Sequence, residues 1–154
     1  MPAKKLMEYL DSNEVRYVTI NHSLAYTAQE IAEAAEVPGK ELVKTIIVNI
    51  DGEMAMAVLP ASFRVDPELL KKAAGANESE IVGEDEFEGR FPGCELGAMP
   101  PFGNLYGMKV FTDETLAEDE EIVFNAGSHR ELIRLSYADF EKLVDPVVAH
   151  FSTR

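Results

Sequence analysis

The feature that most constrains this chain is a pair of apolar runs, "VKTIIVNI" (43–50) and "MAMAVLP" (54–60), on either side of Asp51-Gly52. Asp-Gly readily adopts the two positive-φ positions of a tight hairpin turn, so the runs are predicted to be antiparallel neighbours. Both are apolar at most positions, which suits strands at the centre of a sheet, covered on two faces. One residue breaks the pattern. In the strand period of two, Lys44 shares a face with Ile46, Val48 and Ile50. Either its stem lies on apolar surface while its head reaches water, or the head faces a cavity that calls for positive charge.

Other segments supply elements to pack around this hairpin. "KKLMEYLDSN" places Leu6, Met7 and Leu10 at helical spacing, and "RYVTIN" alternates as a strand. In "TAQEIAEAAEVPG" a Thr27/Glu30 capping box opens a helix that Pro38-Gly39 stops. "DPELLKKAAG" has proline at its first helical position and Gly75 beyond its end, and "EDEF" reads as a short helix. Strands are predicted near "KVFT", "EIVFNAG" and "ELIRLS", followed by a helix in "SYADFEKLV" capped by Ser136 and a final strand-like "VVAHFS". No repeat or linker divides the 154 residues, so residues 1–154 are expected to form a single α/β (α+β) domain with a mixed or antiparallel sheet flanked by helices.

Composition narrows the chemistry. The single cysteine, Cys94, cannot bridge within the chain, and no clustered Cys/His pattern offers a metal site. No metal or cofactor is expected. The N-terminus lacks the apolar core of a signal peptide and no run is long enough to span a membrane, so a cytoplasmic location without membrane contact is expected. A net charge of −14 opposes general affinity for phosphate backbones, so any contact with nucleic acid must be local. The acids concentrate in "ESEIVGEDEFEG" and "DETLAEDEE", while Lys40, Lys44, Lys71, Lys72, Arg130 and Arg134 lie elsewhere and could form a basic face. The sequence has no G-x-S-x-G elbow, no G-x-x-x-x-G-K loop, no H-E-x-x-H and no G-x-G-x-x-G.

Three unusual pieces remain: Lys44, the loop "GAMPPFG" from Gly97, and "NAGSH" ending at His129. The loop either exposes a rigid backbone to a ligand or is a tight surface crossover. In "NAGSH", Gly127 and Ser128 could present amides to an oxyanion and His129 could hydrogen-bond a substrate; the alternative is an ordinary glycine turn beside a structural histidine.

Together "AYTAQEIAEAAEVPGKELVKTIIV", "GAMPPFG" and "VFNAGSHRELIRLSYADFEKLV" resemble the YbaK and prolyl-tRNA-editing-domain family of aminoacyl-tRNA deacylases, over nearly the whole chain. The resemblance implies a curved sheet holding a small pocket, and hydrolysis of the ester that joins a wrong amino acid to a tRNA 3′ end, with tRNA for proline the expected carrier. The family's strand lysine matches Lys44, its G-x-x-x-P loop matches Gly97, Ala98, Met99, Pro100 and Pro101, and its glycine-containing strand end matches Gly127, Ser128 and His129. Members that clear alanine tend to carry Asn after the lysine; here Thr45 stands there, so the amino acid removed stays open. On this reading Lys44 anchors the terminal nucleotide, amides of Gly127 and Ser128 polarise the ester, and the Gly97–Pro101 backbone holds amino acid and water. The expected partners are the acceptor end of a mischarged tRNA and a prolyl-tRNA synthetase or elongation factor. A noncatalytic binding module of the same fold and a hydrolase of small aminoacyl esters are the alternatives.

Overall fold

A computed structural model of the chain describes residues 4–21, 42–87, 89–91, 94–95 and 98–153. The predicted helix in "TAQEIAEAAEVPG", with its Thr27/Glu30 box and Pro38-Gly39 stop, lies outside the described residues, as do Lys40 and Gly97.

The hairpin forms as its sequence dictates. β2 (Val43–Ile50) and β3 (Glu53–Pro60) pair antiparallel, and the turn residues Asp51 and Gly52 have φ of 50° and 88°. Asp51 also accepts hydrogen bonds at Oδ1 from the Asn77 and Glu78 amides, at 3.0 and 2.9 Å, which ties the turn to the chain entering β5 (Ser79–Ile81). β3 lies at the middle of a five-stranded mixed sheet of order β5-β2-β3-β6-β9, in which β6 (Lys109–Asp113) and β9 (Val147–Ala149) run parallel to it.

Both faces of this sheet are covered, which is why its central strands read as nearly continuous apolar runs. Val43, Ile47, Met56 and Val58 enter the main core, while Val48, Ala55, Ala57 and Leu59 meet Leu70, Phe111 and Phe151 in a second one. Leu70 comes from α2 (Pro67–Ala74), whose N-cap Asp66 accepts from the Glu68 and Leu69 amides and which ends at Gly75 with φ 64°.

A second, antiparallel sheet of order β1-β8-β7 closes the main core, built from β1 (Tyr17–Asn21), β7 (Glu121–Ser128) and β8 (Glu131–Ser136). A parallel bridge from Leu42 to Val123 joins it to the mouth of β2. Leu6 and Leu10 of α1 (Lys4–Ser12) and Phe140 of α4 (Tyr137–Val144, capped by Ser136) are fully buried in this core. The acidic segment forms the short α3 (Glu84–Phe87).

The last predicted strand divides. Asp113 Oδ1 accepts the Phe151 N–H at 3.2 Å and the Phe151 carbonyl accepts from Asp66 N–H, so the chain leaves β6 and pairs as β10 (Ser152–Thr153) with β4 (Arg64–Val65). Side-chain capture of one backbone amide ends a ladder that the residue pattern alone would continue. Among the described residues, no helix is long and apolar enough to cross a membrane.

Candidate active site

The glycine-proline loop and the "NAGSH" segment meet. Glu95 N–H donates to the Gly127 carbonyl at 2.7 Å and Gly127 N–H donates to the Ala98 carbonyl at 2.9 Å, so one residue of β7 holds both ends of a short loop segment. This requires an irregular strand. The β7–β8 register shifts between Asn125 and Ser128, and Gly127 adopts φ 96°, a conformation that side chains rarely tolerate. The glycine therefore has a bulge to make, beyond closing a turn.

The same bonds correct one expectation. Gly127 N–H is occupied by Ala98, so it is not a free donor for an oxyanion; its role here is to clamp the loop. Ser128 Oγ is held between Glu131 Oε2, to which it donates at 3.1 Å, and the Arg130 amide, from which it accepts at 3.3 Å. Ser128 and His129 are both buried at the tip of the β7–β8 hairpin. The loop is no surface crossover either. Ala98, Met99, Pro100 and Pro101 are buried, and Phe102 beyond them packs with Tyr9, Phe124 and Phe140 at ring distances of 6.3, 5.6 and 5.6 Å. Loop side chains thus serve the core.

Lys44 and Thr45 lie on opposite faces of β2. Thr45 falls between Val43 and Ile47, on the side of the main core where Met99 and Ala126 also pack. Lys44 faces the other way, opposite Leu59 across the hairpin. It follows Leu42 by two residues, as Asn125 follows Val123, so Lys44 and Asn125 keep to the face of the Leu42–Val123 bridge. Burial pushes the Lys44 ammonium below the usual lysine range, and the positive charge of Arg64 adds to the shift.

Sequence reasoning passed over two residues here. Asn125 Oδ1 is buried and makes no hydrogen bond among the described residues, an exposed question for any native structure because such acceptors are almost always satisfied. Arg64 sits in "ASFRVDP", where nothing in the local pattern marks it; it follows the turn that folds back beside the mouth of β2, and its charge acts on Lys44. Of the basic residues expected to share a face, Lys71 is taken up by Glu68 at 3.1 Å. Cys94 is half-buried, and burial raises its thiol pKa against a contact with the Tyr106 hydroxyl at 3.5 Å.

A cavity of about 780 Å³ lies elsewhere, at the Asp51-Gly52 end of the hairpin, with Arg90 and Lys109 in its wall. None of Lys44, Thr45, Ala98, Met99, Pro100, Pro101, Gly127, Ser128 and His129 lines it. No group of His, Cys, Asp and Glu among the described residues could hold a metal ion.

Residues 22–143 match the aminoacyl-tRNA editing domain family. A similar curated protein is the multifunctional Ser/Thr-tRNA deacylase ProXp-y of Escherichia coli, 23% identical over 153 residues, covering 96% of this chain and 91% of the relative. Proline–tRNA ligase of Staphylococcus aureus is 29% identical over 143 residues, which cover 82% of this chain and only 25% of the ligase. A solved structure presented as a candidate trans-editing enzyme for prolyl-tRNA synthetase superposes with a TM-score of 0.82 at 20% identity, over 99% of this chain and 97% of that one; at this identity it supports the fold.

Proposed function

The chain belongs to the aminoacyl-tRNA editing domain family and is a hydrolase of mischarged aminoacyl-tRNA, and we propose that it clears a small hydroxylated amino acid, serine or threonine, from the tRNA 3′ end. The observation that carries the choice of amino acid is Asn125: a buried acceptor with no donor among the described residues is stabilised by a substrate hydroxyl and leaves an alanyl ester with an unmet polar group. The relative named as a Ser/Thr-tRNA deacylase supports the same choice.

An aminoacyl ester is already activated, so the protein need supply mainly position, water and charge. In this reading Lys44 anchors the phosphate of the terminal adenosine as a fixed cation. Ser128 and His129 approach the ester from the hairpin tip, and Thr45 with Ala98, Met99, Pro100 and Pro101 forms the wall behind, clamped by Gly127. The substrate's own ribose hydroxyl assists proton transfer, which removes the need for a dedicated base. The whole of 1–154 acts as one domain in the cytoplasm on tRNA for proline, with a prolyl-tRNA synthetase or elongation factor supplying tRNA selection that so acidic a protein lacks.

The test is hydrolysis of alanyl, cysteinyl, seryl and threonyl esters on tRNA for proline by the native protein, Lys44→Ala and Asn125→Leu. Seryl or threonyl turnover that Lys44→Ala abolishes is expected, with Asn125→Leu losing about tenfold or more of the preference over alanine. Full activity in Lys44→Ala, with the native fold retained, overturns the role of Lys44; undiminished preference in Asn125→Leu overturns the choice of amino acid.

A further inference from the structure

We propose that Arg64 and Lys44 together form a phosphodiester clamp for the single-stranded 3′ end of the tRNA, with Arg64 gripping the phosphate upstream of the one that Lys44 holds. The inference rests on the deacylase reading for the identity of the strand, and on three structural facts for the clamp itself.

The first is placement. Leu42 carbonyl accepts from Ala61 N–H at 2.9 Å and Pro60 carbonyl from Phe63 N–H at 3.0 Å, so the chain folds back at the end of β3 directly beside the mouth of β2. Val43 and Pro60 are register partners, as are Lys44 and Leu59. Arg64 follows this turn, pinned in β4 by pairing with Thr153. Neither residue is on a free loop.

The second is the charge balance. Two cations that act on one another stand in a protein of net charge −14, and among the described residues no carboxylate pairs with either. Like charges at close range destabilise a fold unless an anion lies between them. Burial and Arg64 already weigh against the Lys44 ammonium, so an incoming phosphate relieves both. Conversely, only such a local concentration of positive charge lets a strongly acidic surface accept a polyanion.

The third is the chemistry of the side chains. Arg64 is exposed and its planar guanidinium can take a phosphate through two parallel hydrogen bonds, whereas the half-buried Lys44 acts as a point charge on a fixed stem. A fork outside and a point charge inside would track a backbone as it enters.

Phosphate contacts release counterions, and each contributes about 0.7 to the slope of log K against log salt for a single strand. The experiment measures binding of an uncharged tRNA minihelix ending in CCA, by fluorescence anisotropy across salt concentrations from about 50 to 200 mM, for the native protein, Arg64→Gln, Arg64→Lys and Arg90→Gln. Arg90 belongs to the large cavity at the far end of the hairpin and serves as the control. Arg64→Gln is expected to weaken binding about tenfold at low salt and to flatten the slope by about 0.7, Arg64→Lys to restore the slope but only part of the affinity, and Arg90→Gln to change neither. With charged substrate, Arg64→Gln should raise KM by a similar factor and leave kcat within about twofold.

Because Arg64 is exposed, loss of fold does not confound the variant. An unchanged affinity and slope in Arg64→Gln overturns the clamp even if the native protein deacylates. An equal loss in Arg90→Gln overturns it too, since the effect is then general charge. Equally tight, Arg64-dependent binding of AMP would assign the pair to a lone phosphate and refute the two-phosphate clamp. If the native protein hydrolyses no ester yet binds the minihelix with an Arg64-dependent slope, the clamp stands and the deacylase reading falls.

Discussion

Replacing Gly127 by Ala tests whether the bulge on β7 holds the loop or merely accommodates it. At φ 96° the residue lies beyond the left-handed well, where a Cβ costs about 2 kcal/mol. The chain can escape that strain only by flattening the bulge, which breaks the bonds from Glu95 N–H and to the Ala98 carbonyl, 2.7 and 2.9 Å long, at about 1 kcal/mol each. The two routes cost nearly the same, so the expected loss is about 2 kcal/mol whichever the protein takes. Gly75→Ala provides the comparison: its φ of 64° lies within the well, nothing is within 4 Å of an added Cβ, and the loss should be about 1 kcal/mol. Urea unfolding reads both, and with an m-value of about 2 kcal/mol/M the midpoint of Gly127→Ala should fall by about 1 M and that of Gly75→Ala by half as much. Deacylation separates the routes, because a flattened bulge frees the loop and lowers turnover, whereas a strained bulge preserves it. A Gly127→Ala protein within about 0.5 kcal/mol of native would refute the clamp outright.

Asp113 is buried, and although burial raises its pKa, hydrogen bonds from the Thr115 hydroxyl, the Phe151 amide, Ser152 and the Thr115 amide outweigh it and hold the carboxyl below its ordinary 3.8. A folded-state pKa below the unfolded one contributes stability above pH 3.8 that is lost as pH falls through the lower, folded value. Asp113→Asn should cost about 2 kcal/mol at pH 7 and show a shallower acid loss in that window; equal acid slopes for the two proteins would contradict this. Phe102→Ala removes a fully buried ring at the meeting point of Tyr9, Phe124 and Phe140 and should cost about 4 kcal/mol by urea unfolding, against under 1 kcal/mol if the cluster were loosely packed. Cys94, its thiol pKa raised by burial, should react with a thiol reagent at pH 8 far more slowly in the native protein than in the urea-unfolded chain, and equal rates would show it to be accessible.

Short-range chemistry was legible in the residues themselves. Asp51-Gly52 specifies a hairpin because few residues accept two successive positive φ values. Asp66-Pro67 with Gly75, and Ser136 ahead of "YADFEKLV", mark helix ends because their side chains and backbones satisfy bonds that a helix leaves open. Alternation placed Lys44 on the face of Ile46, Val48 and Ile50, and Val48, Ile46 and Ile50 do pack together there. Each of these signals is complete within a few residues. The strand "VVAHFS" failed for the complementary reason: it breaks because Asp113, nearly forty residues earlier, captures the Phe151 amide.

The candidate site divides along the same line. The sequence by itself determined which residue types are unusual, a lysine in an apolar strand, a rigid loop and a glycine two residues before a histidine, since these violate local preference. Only the tertiary structure decided that Gly127 serves as a clamp with no amide to spare, that Asn125 has a buried acceptor to satisfy, and that Arg64 stands beside Lys44. Those facts arise from hydrogen bonds and strand register between segments about twenty to thirty residues apart, and register is fixed by burial of whole faces, a property of the packed sheet that no single stretch of sequence contains.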